Sequence, residues 1–273
     1  WVLAVAAMFV IDSIEAGRVS LPSLRSFIGN ALMLQDWATA KPAVFCDAIY
    51  RDSPLWSLHY EWWFYMLYPV VLRVPPALPR THCVGITALT GAITYAWCPN
   101  LVSRLLAYFS IWWVGVHAAE CLRANGKVHF KDMATPLAYV AASAAPLLMT
   151  CAVWAGSGQS LSPGLHPVLE ARHFVAAVAL VILAFAWRHA RWVGFTAVAT
   201  VGTLLAPISF SLYVIHYRSI ARAHYLEFLE NPVAEGLGYA SLTAAFCLFA
   251  ELVFFPFCQR RMRSSSSRSR TTS

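Results

Sequence analysis

The feature that most constrains this chain is a succession of apolar stretches, each about as long as a lipid bilayer is thick. A helix needs roughly 20 apolar residues to cross the hydrocarbon core. Of the 273 residues, 59% are hydrophobic and 12% are charged, whereas ordinary soluble domains contain about 45–50% apolar and about 25% charged residues. A soluble domain of this composition would keep far more apolar surface than it could bury. The sequence therefore predicts an all-α fold, a polytopic integral membrane helix bundle.

We expect about seven full spans after a truncated first helix, since residues 1–11 are apolar without a charged flank and are typical of the end of a span. The seven expected spans are 55–73, 83–98, 101–122, 134–154, 171–187, 197–217 and 237–258. The apolar stretch Leu24–Trp37 is too short to cross a bilayer, so we expect it to be re-entrant or interfacial. Residues 1–258 are thus expected to form one membrane domain, and the basic, serine-rich residues 259–273 a disordered cytoplasmic tail.

The distribution of lysine and arginine predicts the orientation of these spans. Cytoplasmic loops carry an excess of both residues, and one set of alternate loops here is rich in cations and poor in acids. That set comprises Arg73, Arg80, Arg123, Lys127, Lys131, Arg188, Arg191 and five arginines of the tail. We therefore expect a multi-pass protein of the plasma (inner) membrane, with a cytoplasmic C-terminus and a 12–54 loop that faces outward. Because this bias explains the net charge of +7, that charge does not indicate a nucleic-acid partner.

The first expected span carries one acid among serine and tyrosine residues. Ser57, Glu61, Tyr65 and Tyr68 recur at spacings of four, four and three, so they share one helix face. A carboxylate at membrane depth must be paired, protonated or hydrated, which makes Glu61 a candidate functional residue. The alternative is an interfacial aromatic belt with one structural glutamate.

A second stripe lies near the outer end of the span at 197–217. Ser209, Tyr213 and His216 fall on one face, and His216 emerges on the side that Glu61 approaches. Imidazole and a buried carboxylate are suited to moving a proton off a hydroxyl near neutral pH. Alternatively, His216 is a capped or solvated residue at a helix end. Glu251, deep in the last span, is expected to be a structural acid that pairs with a neighbouring helix.

The rest of the sequence offers no motif for a metal or a nucleotide. The seven cysteines are scattered without a C-x-x-C pair and are typical of small apolar helix residues. No H-E-x-x-H, G-x-S-x-G, Walker or G-x-G-x-x-G pattern occurs. We therefore expect no metal site and no tightly bound cofactor.

Two segments resemble the signatures of one family. The segment PLWSLHYEWWFYMLYP at 54–69, hereafter the first signature, resembles the W-S-L-x-x-E-x-x-F-Y pattern of membrane acyltransferase family 3. The segment ISFSLYVIHY at 208–217, the second signature, resembles the I-S-Y-S-L-Y-L-x-H pattern of that family. FIGNALMLQ, which begins at Phe27, fits the apolar segment that commonly precedes the first pattern. Order, spacing and helix context agree across residues 27–216, and the resemblance covers essentially all of residues 1–258.

The resemblance implies an enzyme of the O-acyltransferase type, acting on polysaccharides, lipopolysaccharide, peptidoglycan or lipids. Such an enzyme transfers an acyl group, typically acetyl, from cytoplasmic acyl-CoA, its co-substrate, to a hydroxyl of a carbohydrate or lipid on the other side of the bilayer. The cytoplasmic cations are candidates to meet the CoA phosphates, although positive-inside topology explains them equally well. The matching positions make Glu61 and His216 the catalytic candidates. The implied substrate-binding residues are Trp56, Ser57, Tyr65, Ser209, Ser211 and Tyr213.

One departure from the family pattern bears on activity. The principal catalytic histidine of the family lies on its first helix, about eleven residues after an arginine, and no arginine here has a histidine eleven positions later. We therefore expect this chain to be an N-terminally incomplete fragment that is inactive as it stands. Two other functions stay open: a proton-coupled transporter or flippase, in which Glu61, Glu251 and His216 form a proton relay, and a catalytically dead scaffold homologue.

Overall fold

The computed structural model describes residues 2–75 and 77–260, and these residues are almost entirely helical. The described residues form ten α-helices: α1 (Val2–Ala16), α2 (Leu24–Ala31), α3 (Trp56–Leu72), α4 (Arg80–Trp97), α5 (Leu101–Asn125), α6 (Phe130–Gly156), α7 (Val168–His189), α8 (Phe195–Leu205), α9 (Ser209–His216) and α10 (Pro232–Phe249). Two short strands, β1 (Gln35–Asp36) and β2 (Cys46–Asp47), pair in parallel with Asp36 opposite Asp47. The expected all-α class is confirmed.

Within the described residues, five helical stretches are long and apolar enough to cross a membrane, so the chain is an integral membrane protein. They are Leu101–Asn125, Phe130–Gly156, Val168–His189, Phe195–Ala221 and Pro232–Arg260. Each overlaps one of the last five expected spans. The last stretch continues to Arg260, and residues 261–273 of the expected tail lie outside the described residues.

The expected count of seven full spans is not met. The helix at 55–73 forms as α3 but has only 17 residues, which is about 26 Å at 1.5 Å per residue. The helix at 83–98 forms as α4, but it begins with Arg80, Thr81 and His82 and is too polar to qualify. One face of α4 is buried, with Ala88 and Ala92 fully enclosed, and the opposite face is exposed, with Ile93 at 52%. The stretch 24–37 is helical only over the eight residues of α2, so it is too short to span, as expected.

The chain divides into two compact units. Among the described residues, the central unit lies within Ile28–Asp47 and Trp56–Val193, and the terminal unit lies within 2–27, Ala48–Leu55 and 194–260. In the central unit α4 packs against α5 and α6, and α6 packs against α7. A Cβ on Gly91 would lie 2.8 Å from the Ser103 carbonyl oxygen, so only glycine permits this approach of α4 to α5.

The core of the central unit is aromatic. Phe64 of α3 packs on Phe109 of α5, with ring centroids 5.4 Å apart, and Trp113 is fully buried one turn further on. The start of α5 is fixed by Asn100, whose side chain accepts a hydrogen bond from the Ser103 backbone N–H at 2.9 Å. The end of α5 is fixed by Gly126, which adopts the left-handed conformation.

In the terminal unit α9 packs against α1 and α10. α8 has no buried residue among those described, and its apolar side chains are exposed, for example Leu204 at 74%. Such a helix is suited to lipid rather than water.

Candidate functional site

The buried ionisable groups of the central unit gather where the first turns of α3, α5 and α7 meet the loop between β1 and β2. Arg104 of α5 anchors this loop, because its Nη1 donates a hydrogen bond to the Pro42 carbonyl oxygen at 2.6 Å. His166, just before α7, donates its backbone N–H to the Ala40 carbonyl oxygen at 2.8 Å. Hydrogen bonds therefore join the loop to α5 and to the segment just before α7, which are far apart in sequence.

Asp36 is the centre of this group. Its carboxylate lies 2.9 Å from Lys41 Nζ and 3.1 Å from Arg104 Nη2, and it accepts a hydrogen bond from the Tyr60 hydroxyl at 2.7 Å. Asp36, Lys41 and Arg104 are exposed by only 1%, 3% and 0%. Buried charges occur in proteins chiefly when they are paired in this way.

The pKa shifts of this pair follow from burial and charge. Burial disfavours the ionised form of Asp36, but the charges of Lys41 and Arg104 outweigh it and hold the pKa of the Asp36 carboxyl below its usual range. Burial also lowers the pKa of Lys41, and the attraction of Asp36 only partly offsets that effect. Lys41 is therefore a cation that can lose its proton more readily than an exposed lysine.

Trp56, the first aromatic residue of the first signature, joins this ion pair to a histidine. Lys41 Nζ lies 3.9 Å from the Trp56 ring centroid, a cation–π distance. The His173 ring is stacked on Trp56 with centroids 5.5 Å apart and an interplanar angle of 12°. His173 Nδ1 lies 2.7 Å from the Tyr108 hydroxyl oxygen, so these two groups share a hydrogen bond. We refer to Asp36, Lys41, Arg104, Trp56, His173 and Tyr108 as the Trp56 cluster.

A second buried acid lies beside this cluster. Glu170, in the first turn of α7, is fully buried and accepts a hydrogen bond from the Tyr95 hydroxyl at 2.7 Å. Its Oε1 also lies 3.2 Å from His166 Nδ1. Its Oε2 has no hydrogen-bond partner among the described residues, so this carboxylate oxygen can still accept a hydrogen bond.

The first signature places its residues on two different sides of α3. His59, Tyr60 and Phe64 are buried, and His59 Nδ1 lies 2.7 Å from the Met33 carbonyl oxygen. Glu61 and Tyr65 are exposed. Residues four apart share a helix face, so the predicted Ser57–Glu61–Tyr65 stripe exists, but Tyr60 and Phe64 form the inner stripe.

The rings of Tyr65 and Trp112 are almost perpendicular, with their centroids 5.7 Å apart. Ser57 is half-buried near the start of α3. Glu61 and Tyr65 remain predicted site residues, and both are exposed at the surface of the central unit.

The second signature lies in the terminal unit. Ser209 donates to the Ala206 carbonyl oxygen at 3.0 Å, and Ser211 donates to Glu251 Oε1 at 2.7 Å. The expectation that Glu251 pairs with a neighbouring helix is thereby confirmed. Tyr213 donates its hydroxyl hydrogen to the Pro54 carbonyl oxygen at 2.7 Å.

His216 has a defined hydrogen-bonding pattern at one ring nitrogen. Its Nδ1 lies 3.1 Å from the Leu212 carbonyl oxygen and 2.9 Å from the Tyr213 carbonyl oxygen. Carbonyl oxygens only accept hydrogen bonds, so Nδ1 carries the hydrogen and Nε2 of the neutral ring carries the lone pair. This tautomer leaves Nε2 as the atom that can accept a proton.

A π-helical turn at Tyr217–Ala221 follows His216 and turns Arg218 towards two acids of α1. Arg218 Nη2 lies 2.7 Å from Asp12 Oδ1 and 2.6 Å from Glu15 Oε2. Asp52, also near Arg218, is fully buried, and neither carboxyl oxygen has a hydrogen-bond partner among the described residues. Burial raises the pKa of Asp52 to about 7, against the opposing charge of Arg218.

Sequence reasoning missed most of the Trp56 cluster. Asp36 and Lys41 lie within the 12–54 loop that was expected to face outward, and neither they nor His173 were singled out as site residues. Arg104 offered a signal, because an arginine inside an apolar stretch is costly and marks a functional residue by default. The pairing of Asp36 with Lys41 left no periodic signal, since it depends on the path of the loop between β1 and β2.

Comparisons of the chain with protein-family models, with curated proteins and with solved structures found no match. Within residues 2–75 and 77–260, no three histidine, cysteine, aspartate or glutamate side chains are placed to hold a metal ion.

Proposed function

We propose that this protein is a membrane O-acyltransferase that moves an acyl group, typically acetyl, from acyl-CoA to a hydroxyl of a carbohydrate or lipid. The observation that carries the proposal is the position of Trp56. Trp56, the tryptophan of the W-S-L pattern in the first signature, lies with its ring centroid 3.9 Å from Lys41 Nζ and 5.5 Å from the His173 ring centroid. A resemblance in sequence thus coincides with a buried cluster of groups able to bind anionic oxygen and to move protons.

Acyl transfer needs a base that takes the hydroxyl proton and hydrogen-bond donors that stabilise a negative charge on the carbonyl oxygen. The acceptor hydroxyl oxygen forms a bond to the acyl carbon, the C–S bond of the thioester breaks, and the hydroxyl proton passes through a base to the departing thiolate. A negative charge develops on the carbonyl oxygen during the attack, and cationic N–H donors in a dry site stabilise it. Lys41 and Arg104 are such donors, and both lie in a site from which water is largely excluded.

The base predicted from the second signature is the imidazole of His216. His216 has its lone pair on Nε2 because Nδ1 donates to backbone carbonyl oxygens, which suits it to accept a hydroxyl proton. Glu61 is the acidic catalytic candidate predicted from the first signature. Trp56 is a positioning residue, since Lys41 and His173 both lie against its ring.

The proposal includes an orientation. The excess of cations in the loops after α5 and α7 favours a cytoplasmic position for the end of the central unit that carries Lys127 and Arg188. The Trp56 cluster, at the starts of α3, α5 and α7, then belongs to the outer end. This arrangement suits a donor from the cytoplasm and an acceptor outside.

The test is acyl transfer by the full-length protein in native membranes, followed with labelled acetyl-CoA and release of the CoA thiol. His216→Ala should lower turnover at least 100-fold, the usual range for loss of a positioned acid or base. Trp56→Ala should also lower turnover, because Lys41 and His173 lose the ring against which they lie. The matched controls are Trp97→Ala, because Trp97 is 91% exposed, and His224→Ala, whose imidazole is 62% exposed. Equal turnover of site and control variants, at equal expression, would contradict the proposal.

A proton-coupled transporter is the second candidate, and Glu170 is the observation that favours it. A fully buried carboxylate with one unpartnered oxygen, close to a buried lysine, is typical of proton-relay sites in membranes. Proteoliposomes distinguish the two functions. Flux driven by a pH gradient without consumption of acetyl-CoA, abolished by Glu170→Gln, would favour transport.

A further inference from the structure

The central unit has a groove between α5 and α7 that neither signature includes. Its cavity volume is about 550 Å³. One wall is formed by Val114, Gly115, Ala118 and Leu122 of α5, and the other by residues between Leu180 and Arg188 of α7. Met133 of α6 forms part of the floor.

The groove has a buried floor and an exposed apolar rim. Met133 and Val114 are exposed by 1% and 8%, whereas Leu122 and Leu180 are exposed by 54% and 66%. Both walls belong to helices long and apolar enough to span a membrane. A groove of this kind opens to lipid chains rather than to water.

Two cations lie at one end of the groove. Lys127 follows the end of α5, and Arg188 lies in the last turn of α7, where its Nη1 donates a hydrogen bond to the Val128 carbonyl oxygen. Within the described part of the chain, no carboxylate lies within ion-pair distance of either cation. Trp192, at the same end, is 42% exposed, as is typical of aromatic residues at a membrane interface.

The dimensions of the groove match one leaflet. The apolar wall from Val114 to Leu122 rises about 12 Å at 1.5 Å per residue, and the wall from Leu180 to Arg188 rises by the same amount. One leaflet contributes half of a hydrocarbon core about 30 Å thick. An acyl chain that fills the groove would therefore bring its headgroup to the level of Lys127 and Arg188.

We infer that this groove binds an anionic membrane phospholipid, with one acyl chain between α5 and α7 and the phosphate between Lys127 and Arg188. Basic pockets between membrane helices recognise acidic headgroups through this combination of charge and depth. The long apolar walls and the two cations fit a phosphodiester headgroup with a hydrocarbon tail better than the larger, multiply charged head of acyl-CoA. The inference does not depend on the acyltransferase proposal.

The test is native mass spectrometry of the full-length protein in detergent, titrated with phosphatidylglycerol and, separately, with phosphatidylcholine of the same chains. Each cation near a membrane surface contributes about 1 kcal/mol, which corresponds to about a fivefold change in affinity. We expect Lys127→Gln and Arg188→Gln each to weaken phosphatidylglycerol binding about fivefold, and the double variant about 25-fold, with phosphatidylcholine binding unchanged. Lys131→Gln is the matched control, since Lys131 is exposed in the first turn of α6, close in sequence to Lys127, but does not line the groove.

A second variant tests the acyl-chain part of the groove. A Cβ on Gly115 would meet nothing within 4 Å, so Gly115→Leu fills the groove without a clash, and a melting curve checks that the variant is folded. It should lower the affinity for both lipids. The inference is overturned if the two lipids bind equally to the wild-type chain, if Lys131→Gln matches Lys127→Gln, or if acetyl-CoA displaces phosphatidylglycerol in competition, which would assign the groove to the acyl donor.

Discussion

Replacing Asp36 with asparagine should destabilise the central unit strongly. Asparagine has nearly the same size but no charge, so Lys41 and Arg104 would remain buried, at 3% and 0% exposure, without their counter-ion. Removing one partner of a buried ion pair costs about 3–5 kcal/mol because the other charge is left uncompensated. We expect a loss of this size in the free energy of unfolding at pH 7.

Lys41 and Arg104 should respond differently to the loss of the Asp36 charge. Lys41 can release its proton, since burial already lowers its pKa, whereas arginine stays protonated in proteins. In the Asp36→Asn variant the folded state then binds fewer protons at Lys41 than the unfolded state does, so stability rises with pH up to the ordinary lysine pKa of about 10.4. Lys41→Met removes that charge. The loss of stability in the double variant Asp36→Asn/Lys41→Met should therefore be smaller, by at least about 1 kcal/mol, than the sum of the losses in the two single variants.

The assay is denaturant unfolding in detergent micelles, monitored by tryptophan fluorescence at pH 7 and pH 9. Asp47→Asn is the control, because Asp47 is the exposed strand partner of Asp36 and should cost less than about 1 kcal/mol. The reasoning is refuted if Asp36→Asn is as stable as Asp47→Asn, or if the effects of Asp36→Asn and Lys41→Met simply add.

Two further predictions concern stability. Burial raises the pKa of Asp52 to about 7, above about 3.9 in the unfolded chain, so the folded state holds this proton more tightly and stability falls as pH rises from about 4 to about 7, by at most about 1.4 kcal/mol per pH unit. Melting temperatures of Asp52→Asn should lack this fall while Asp47→Asn keeps it, and matching profiles would disprove the assignment. In α4, Gly91→Ala should cost about 1–3 kcal/mol, because its Cβ would lie 2.8 Å from a backbone oxygen of α5. Gly115→Ala, with open space around it, should instead stabilise the chain by up to about 1 kcal/mol. A change of the same sign in the free energy of unfolding of both variants would contradict this argument.

The first signature shows how far a sequence pattern can predict a site. Its spacing correctly indicated a helix with Glu61 and Tyr65 on one face. It did not indicate which face packs inward, and in the structure Tyr60 and Phe64 have that position. Both faces carry aromatic residues, so hydropathy could not distinguish them; the packing of Phe64 on Phe109 decides the rotation of α3.

The count of spans shows a similar limit. A run of apolar residues indicates where a helix forms, but not how its faces are divided between protein and lipid. In α4, Ala88 and Ala92 are fully buried, whereas Ile86 and Ile93 are exposed by 58% and 52%. The expected span at 83–98 is therefore a real helix, and its polar first turn keeps it from qualifying as a span by composition.

The amino-acid sequence alone determined that this chain is helical and belongs in a membrane, because both properties depend on local composition: about 20 apolar residues in a row suit the bilayer, and a helix satisfies its own backbone hydrogen bonds there. Only the tertiary structure decided that Asp36, Lys41, Arg104 and His173 gather around Trp56. These residues come from separate segments, and their contacts arise from the docking of a loop on the ends of helices, which no local pattern records. The same holds for the groove, whose two cations are 61 positions apart in sequence and come together because α5 and α7 end at the same level.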